Sequence, residues 1–250
     1  MYKKSRKTLL VGFFIICMAL SFFVGYFSNT QKEYVIKKEY VEKEVEVAGP
    51  IKLLPVTAIN QHPLLPTGCE ATAAVTVLNY LGDKVTIKEF ADNWLLKSRD
   101  FYYIEDIMYG PDPNTAFLGD PYTTNSFGCY ANAIVSAVNK NSELCIANRI
   151  NSQNLEELCG YIDNGQPVII WTTMDMREPS EGKSWILPTG EKFTWIAGEH
   201  CMVLVGYSED RYWFCNPQNG RVEDYDKELC QSRYETLGCQ AILINKKPTY

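Results

Sequence analysis

The spacing of apolar residues predicts helices in the first half of the chain. Ala, Val and Leu recur at helical spacing in CEATAAVTVLNYLG, which begins at Cys69 and ends at Gly82, a residue suited to terminate a helix. Thr86 and Glu89 form a capping-box pattern that predicts a second helix running to about Leu96. Residues 109–128, rich in Gly, Pro, Asn and Asp, predict a long loop. Two further helix-like stretches cover residues 129–140 and 154–163.

The second half of the chain has a different pattern, with β-rich runs divided by turn signals. These runs are PVIIWTT at 167–173, HCMVLVGY at 200–207 and RYWFC at 211–215. Only Ser-Glu-Asp separates the last two, so they predict a hairpin. A final helix is expected over 226–237 and a final strand over 240–244. Helices followed by an antiparallel sheet predict an α+β fold.

The N-terminus carries a third pattern, apolar at nearly every position. Residues 8–27 are twenty uncharged positions that would span about 30 Å as a helix, the thickness of a bilayer core. Four cations within residues 1–7 predict a cytoplasmic tail, with the rest of the chain outside. We expect an uncleaved single-pass signal anchor. Cleavage, which would give a secreted protein, is the alternative. We expect residues 28–50 to form a charged stalk and residues 51–250 the domain. A short helix or strand that pairs with a partner is the alternative for residues 32–47.

The net charge and the cysteine content narrow the classes of function that this chain can have. The formal charge of −6 includes the four N-terminal cations; without them, 20 Lys and Arg face 30 Asp and Glu, a net of −10. An acidic domain is a poor nucleic-acid binder. Nine cysteines occur without a Cys-x-x-Cys pair and with only two histidines, which argues against a structural zinc site. We expect no metal and no cofactor. Some thiols could pair outside the cell, but the spacing assigns no connectivity.

A set of four residues suggests thiol chemistry. Cys69 stands where a loop ends and a helix begins, and free N–H groups together with the helix dipole favour a thiolate there. His200 opens an apolar strand and is the candidate base. Asn216, at the end of the partner strand, could accept the Nδ1–H of His200 and fix its tautomer. Gln61 could donate to an oxyanion together with the Cys69 backbone N–H.

Each of these residues alone has an ordinary structural interpretation. A cysteine at a helix start is usually structural, a histidine at a strand edge is usually satisfied, and Asn-Pro is usually a turn. Their order favours catalysis, because Gln and Cys precede a helix while His and Asn end late strands. His62, beside Gln61, is the weaker base candidate and is expected at the rim of the site.

Four blocks carry a resemblance to a known family. They are Asn60-Gln61 through LPTGCEATAAVTVLNYLG, then DPNTAFLGDPYTTNSFGCYANAI, then NGQPVIIW, then WIAGEHCMVLVGYSEDRYWFCNPQNG. The chain resembles cysteine peptidase family thirty-nine, bacterial relatives of the leader peptidases of bacteriocin exporters, and in particular its stand-alone secreted or anchored members. The resemblance implies a papain-like fold, a peptide or protein substrate, Cys69 as nucleophile, His200 as base and Gln61 as oxyanion donor.

The chain departs from that family at the third triad position. Asp in an Asp-Pro pair is usual there, and this chain has Asn216-Pro217. The acceptor is kept but its charge is lost, so stabilisation of an imidazolium should be weaker. The expected function is hydrolysis of peptide or amide bonds at a bacterial cell membrane, outside the cytoplasm. Two alternatives stay open: a cell-wall amidase or transpeptidase with the same triad, and a non-catalytic anchored binding module.

Overall fold

The computed structural model describes residues 50–248 together with the single position Lys32. The anticipated membrane helix over 8–27, and all of the stalk except Lys32 and Pro50, lie outside the described residues. Within the part that is described, no helix combines the length and apolar character needed to cross a bilayer. Residues Pro50–Tyr250 form one compact unit.

The helices largely follow the sequence pattern. They are α1 (Cys69–Leu81), α2 (Ile87–Glu89), α3 (Ala131–Asn141), α4 (Leu155–Asp163) and α5 (Lys227–Thr236). Gly82 ends α1 in the left-handed conformation, with φ 96°. The hydroxyl of Thr86 accepts from the Glu89 backbone N–H at 3.1 Å, which confirms the predicted cap. The helix that follows is irregular, because α2 continues as a π-helical turn over Phe90–Trp94.

The strands outnumber those predicted. In chain order they are β1 (Lys52–Leu53), β2 (Lys97–Ser98), β3 (Tyr102–Ile104), β4 (Ile107–Tyr109), β5 (Phe117–Leu118), β6 (Cys145–Ile150), β7 (Val168–Thr173), β8 (Ser180–Ile186), β9 (Lys192–Ala197), β10 (Glu199–Tyr207), β11 (Arg211–Asn216), β12 (Arg221–Asp226) and β13 (Ala241–Lys246). The three central runs and the last strand were expected, and the hairpin of β10 with β11 is confirmed by antiparallel pairing. The α+β class is therefore confirmed.

The main sheet positions the candidate site. Its order is β12-β11-β10-β7-β13-β6, with β1 paired to β10. Every residue of β7 is buried, which explains its continuous Val and Ile content. Helix α1 packs across β10, β7 and β13. This packing buries the apolar face of α1 and brings its first turn to the start of β10.

A second sheet, β3-β4-β8-β9, was not predicted. Strand β9, KFTWIA, alternates polar with aromatic residues, and aromatic side chains attach this sheet to the rest of the domain. Trp195 of β9 stacks on Tyr130 with ring centroids 5.4 Å apart, and the indole N–H of Trp185 donates to the Pro111 carbonyl oxygen. Gly198, with φ 76°, is the one residue between β9 and β10. The second sheet therefore ends three residues before His200.

Candidate active site

The Cys69 sulfur lies at the junction of α1 and β10. Cys69 is the first residue of α1, and its side chain is 6% exposed. The backbone N–H of Cys201 is near enough to the sulfur to lower the pKa of the thiol, and the thiol itself donates to Glu70 Oε2 at 3.3 Å. Because Cys201 directly follows His200, these contacts place the sulfur against the backbone that carries the candidate base.

The expectation of a Cys69 thiolate is wrong for this state of the molecule. Burial raises the pKa of the thiol well above its ordinary value, and the carboxyl groups of Glu70 and Glu199 raise it further. The Cys201 N–H lowers the pKa of the thiol, but by less than these groups raise it. Burial and nearby acids therefore outweigh the helix N-terminus, and Cys69 rests as a neutral thiol.

His200 and Asn216 meet as the sequence suggested, but through the other ring nitrogen. His200 Nε2 lies 2.8 Å from Asn216 Oδ1, so the predicted bond through Nδ1 is wrong. The Asn216 amide N–H donates to Glu223 Oε2 at 2.7 Å. A carboxylate can only accept, so it fixes the amide with Oδ1 towards the imidazole. Nε2 must then carry the hydrogen, and Nδ1 keeps its lone pair.

The Nδ1 atom of His200 is available as a base. Among residues 50–248 it has no hydrogen-bond partner, although it is fully buried. Burial lowers the pKa of His200, while the bond to Asn216 raises it. The imidazole is therefore neutral near neutral pH, the form that accepts a proton.

Gln61 forms hydrogen bonds both to the loop that leads to Cys69 and to the residue that follows Asn216. Its side-chain Nε2 donates to the Pro66 carbonyl oxygen at 3.0 Å, within the loop leading to Cys69. Its backbone N–H donates to the Pro217 carbonyl oxygen at 2.9 Å, next to Asn216. The amide Oε1 is buried and unpartnered within the described part of the chain. One N–H of the amide remains to donate, as an oxyanion role requires. His62, its neighbour, is exposed.

Three acidic residues at the site were missed by the sequence argument. Glu70 follows Cys69 and is fully buried, Glu199 precedes His200 and is 9% exposed, and Glu223 orients Asn216. The sequence carried one signal for Glu70 and Glu199. Both are lone acids beside apolar stretches of an otherwise buried helix and strand, where a charge requires a specific partner.

The loop preceding α3 contacts this acidic pair. The Cys129 backbone N–H donates to Glu70 Oε1 at 2.6 Å. Gly128 has φ 124°, and an added Cβ there would overlap Glu70 Oε1 and lie 3.2 Å from Glu199 Oε2. The absence of a side chain at Gly128 therefore leaves room for both carboxyl groups.

Gly128→Ala should destabilise the domain by about 2–5 kcal/mol, since it adds positive-φ strain to overlap in a packed site. Urea unfolding of the variant would measure the change in the free energy of unfolding. Gly160→Ala is the matched control. Gly160 lies in α4, and an added Cβ there would meet no atom within 4 Å. Gly160→Ala should therefore leave the free energy of unfolding unchanged or raise it by up to about 1 kcal/mol. Equal stability of the two variants would contradict the crowding at Gly128.

The buried carboxyl of Glu70 predicts a pH-dependent stability. Burial raises its pKa from 4.5 to about 7. In the unfolded chain it ionises near 4.5, so the folded state binds more protons between these two pH values. Stability should therefore fall as the pH rises from 4.5 to about 7. Glu70→Gln cannot titrate, and urea unfolding across that window should show a shallower fall than in the wild type. An identical slope in both proteins would rule out the shift.

Comparison with known proteins identifies the family. The profile of the Peptidase_C39 like family matches residues 53–242, so the chain belongs to the C39-like peptidases. It is similar to the uncharacterized protein YvpB of Bacillus subtilis strain 168, with 26% identity over 205 residues covering 80% of this chain and 79% of that protein. A crystal structure of a C39-like peptidase from Bacillus anthracis superposes with a TM-score of 0.69 and 25% identity, covering 79% of this chain and 99% of that one.

This membership and the fold together define the domain as one of cysteine-peptidase type. The family implies a peptide or protein as substrate. The sequence match begins in β1 and ends in β13, so it includes every residue of the candidate site.

Proposed function

We propose that this protein hydrolyses peptide bonds through a thioacyl intermediate on Cys69, with His200 as the base. The arrangement of His200 supports this most directly. Its Nε2 is 2.8 Å from Asn216 Oδ1, and its Nδ1 is buried without a partner among the described residues. An imidazole oriented through one nitrogen and free at the other is the arrangement a general base needs.

The first step is proton transfer from the thiol. The Cys69 hydrogen turns from Glu70 Oε2 towards His200 Nδ1, which accepts it, and the sulfur attacks the carbonyl carbon of the substrate. The imidazolium that forms keeps its Nε2–H on Asn216 Oδ1. Because the resting pair is neutral, proton transfer and attack are coupled, and the high thiol pKa contributes to the barrier.

The carbonyl oxygen becomes an oxyanion that needs hydrogen-bond donors. The Cys69 backbone N–H, at the first position of α1, has no acceptor inside its own helix. The second N–H of the Gln61 amide is the other donor. The C–N bond then breaks as His200 protonates the leaving amine, which leaves a thioester. A water activated by His200 hydrolyses the thioester and restores the thiol.

We place this reaction outside the cytoplasm. The support is the sequence alone: four cations in residues 1–7, followed by twenty uncharged positions over 8–27. Protease treatment of intact cells should then release the domain. Protection of the domain until the cells are lysed would refute this location.

The activity can be tested with the full chain and a peptide library, with products identified by mass spectrometry. New peptide termini should appear with the wild type and be absent with Cys69→Ala. An amide product formed with an added amine would indicate a transpeptidase. Absence of any cleavage, transfer or Cys69 adduct across the library would favour a binding module instead.

Glu223→Ala should lower kcat by about tenfold to a hundredfold, as expected for the loss of a hydrogen bond to a charged group. Without the carboxylate the Asn216 amide can flip, and its N–H would then favour the wrong His200 tautomer. The effect should appear in kcat more than in KM. Glu223→Gln retains an acceptor oxygen and should recover most of the rate.

A purely structural role for Glu223 gives a different result. In that case Glu223→Gln would lose stability and rate together, and the pH profile of kcat would keep its shape. Orientation of Asn216 instead predicts that Glu223→Ala alters the acid limb of that profile, which reports the base.

A further inference from the structure

A cluster of acids surrounds the Cys69 sulfur, and the peptidase mechanism leaves most of it unused. The sulfur and one carboxylate oxygen each from Glu70 and Glu199 lie within 4.8 Å of one another. All three side chains are buried. Hydrolysis needs Cys69 and His200, but it gives neither carboxyl group a task.

The cluster is electrostatically unsatisfied. Burial raises the pKa of Glu199 well above its ordinary value, and neighbouring Glu70 raises it further. Among residues 50–248, no Lys or Arg forms a salt bridge with either carboxyl group. In this low-dielectric site the Cys69 thiol and the two carboxyl groups favour their protonated forms, unless a cation compensates their negative charge.

Glu199 provides a second, independent observation. Its Oε1 is buried and has no hydrogen-bond partner within the described residues. Both oxygens of Glu70, in contrast, are occupied, by the Cys129 N–H and by the Cys69 thiol. Gly128 packs directly against both carboxyl groups, and an added Cβ there would overlap Glu70 Oε1 and lie 3.2 Å from Glu199 Oε2. An orphaned carboxylate oxygen in such a place requires a donor or a metal ion.

We propose that Cys69, Glu70 and Glu199 form a binding site for a thiophilic divalent cation, with Zn²⁺ the best match. Zn²⁺ takes thiolate sulfur at about 2.3 Å and carboxylate oxygen at about 2.0–2.2 Å in tetrahedral geometry, which places sulfur and oxygen about 3.6 Å apart. The Cys69 Sγ to Glu70 Oε2 distance is already 3.3 Å. Three protein ligands leave the fourth position to water. Mg²⁺ and Ca²⁺ prefer six or more oxygens and fit poorly.

Binding has a regulatory consequence. The cation displaces the proton of the Cys69 thiol and any protons on the two carboxyl groups, and these protons are released to solvent. The sulfur lone pairs are then engaged by the metal, so the thiol can neither donate to His200 nor attack a carbonyl. Zn²⁺ therefore holds the enzyme inactive. This consequence rests on the proposed peptidase function, whereas the binding itself does not.

Calorimetric titration of the chelator-treated full chain with Zn²⁺ tests the site. We expect one Zn²⁺ per chain, with heat that varies with buffer because protons are released. Cys69→Ala and Glu199→Gln should each weaken binding by at least about a hundredfold, and Cys215→Ser should not. Cys215 is the matched control, a buried thiol whose sulfur donates to the Val56 carbonyl oxygen instead. Mg²⁺ and Ca²⁺ should give no comparable binding.

A second readout avoids dependence on activity. Zn²⁺ should slow alkylation of Cys69, followed by mass spectrometry, in the wild type and in Cys215→Ser, but not in Glu199→Gln. Circular dichroism shows whether each variant folds, and in the calorimetric titration Cys69→Ser replaces Cys69→Ala if the alanine variant does not. Unchanged Zn²⁺ affinity in both the Cys69 and Glu199 variants would overturn the site. A cleaving enzyme insensitive to Zn²⁺ would overturn this inference alone. Zn²⁺ binding without any peptide cleavage would overturn only the proposed function.

Discussion

His200→Ala is expected to abolish peptide hydrolysis as completely as Cys69→Ala, with kcat falling by about 10⁴-fold or more in each case. The reason is that the Cys69 thiol is neutral in the resting state, since burial and adjacent acids raise its pKa. A neutral thiol without a base cannot generate the nucleophile. The double variant should be no slower than either single one, because the two residues act as a unit.

The matched control is His62→Ala, the other histidine of the chain. His62 is exposed, so the change should leave kcat nearly unchanged and affect KM at most. Steady-state kinetics on one peptide substrate distinguish the two histidines. Loss of activity in His62→Ala with retention in His200→Ala would mean that the base has been assigned wrongly.

Gln61→Ala should lower kcat by about a hundredfold or more, the usual effect of removing one oxyanion donor. Gln61 also ties two loops together through its backbone, but those bonds survive a side-chain change. Within the described part of the chain, the substitution removes a single side-chain hydrogen bond, the one from Nε2 to the Pro66 carbonyl oxygen. The variant should therefore fold, which thermal unfolding can verify.

Gln61→Glu distinguishes the loss of hydrogen-bond donors from a change in side-chain packing. The side chain keeps its size but loses both N–H donors and gains a negative charge beside the developing oxyanion. Its kcat should fall at least as far as that of Gln61→Ala, while KM changes little. Near-normal kcat in both variants would show that the oxyanion is stabilised by other groups.

The sequence predicted the main helices and strands well where the local pattern of apolar residues and turn formers is clear. Helix α1 has helical apolar spacing and a terminating Gly82, and β7, β10 and β11 are continuous apolar runs. The second sheet escaped prediction because it is built differently. Its strands β3 and β4 have three residues each, and β3 is fully exposed. Strands β8 and β9 are joined to the domain by aromatic contacts between distant parts of the chain.

The sequence predicted four residues of the candidate site, but neither its three acidic residues nor its electrostatics. The order of Gln61, Cys69, His200 and Asn216 could be read from loops, helix starts and strand ends. The ring nitrogen of His200 could not, since it depends on Glu223 fixing an amide on the neighbouring strand. Nor could the neutral thiol, since burial beside Glu70 and Glu199 depends on how α1 crosses the sheet. Such properties arise from tertiary packing rather than local sequence.

The most direct measurement of the central claim is capture of the acyl intermediate. A peptide ending in an activated ester is mixed with the full chain, quenched in acid and digested, and the modified residue is located by mass spectrometry. The thioester should form on Cys69 in the wild type, accumulate in Gln61→Ala far more slowly, and be absent in His200→Ala. A wild-type adduct on another residue, or an equal rate of Cys69 acylation in His200→Ala, would contradict a Cys69 nucleophile activated by His200.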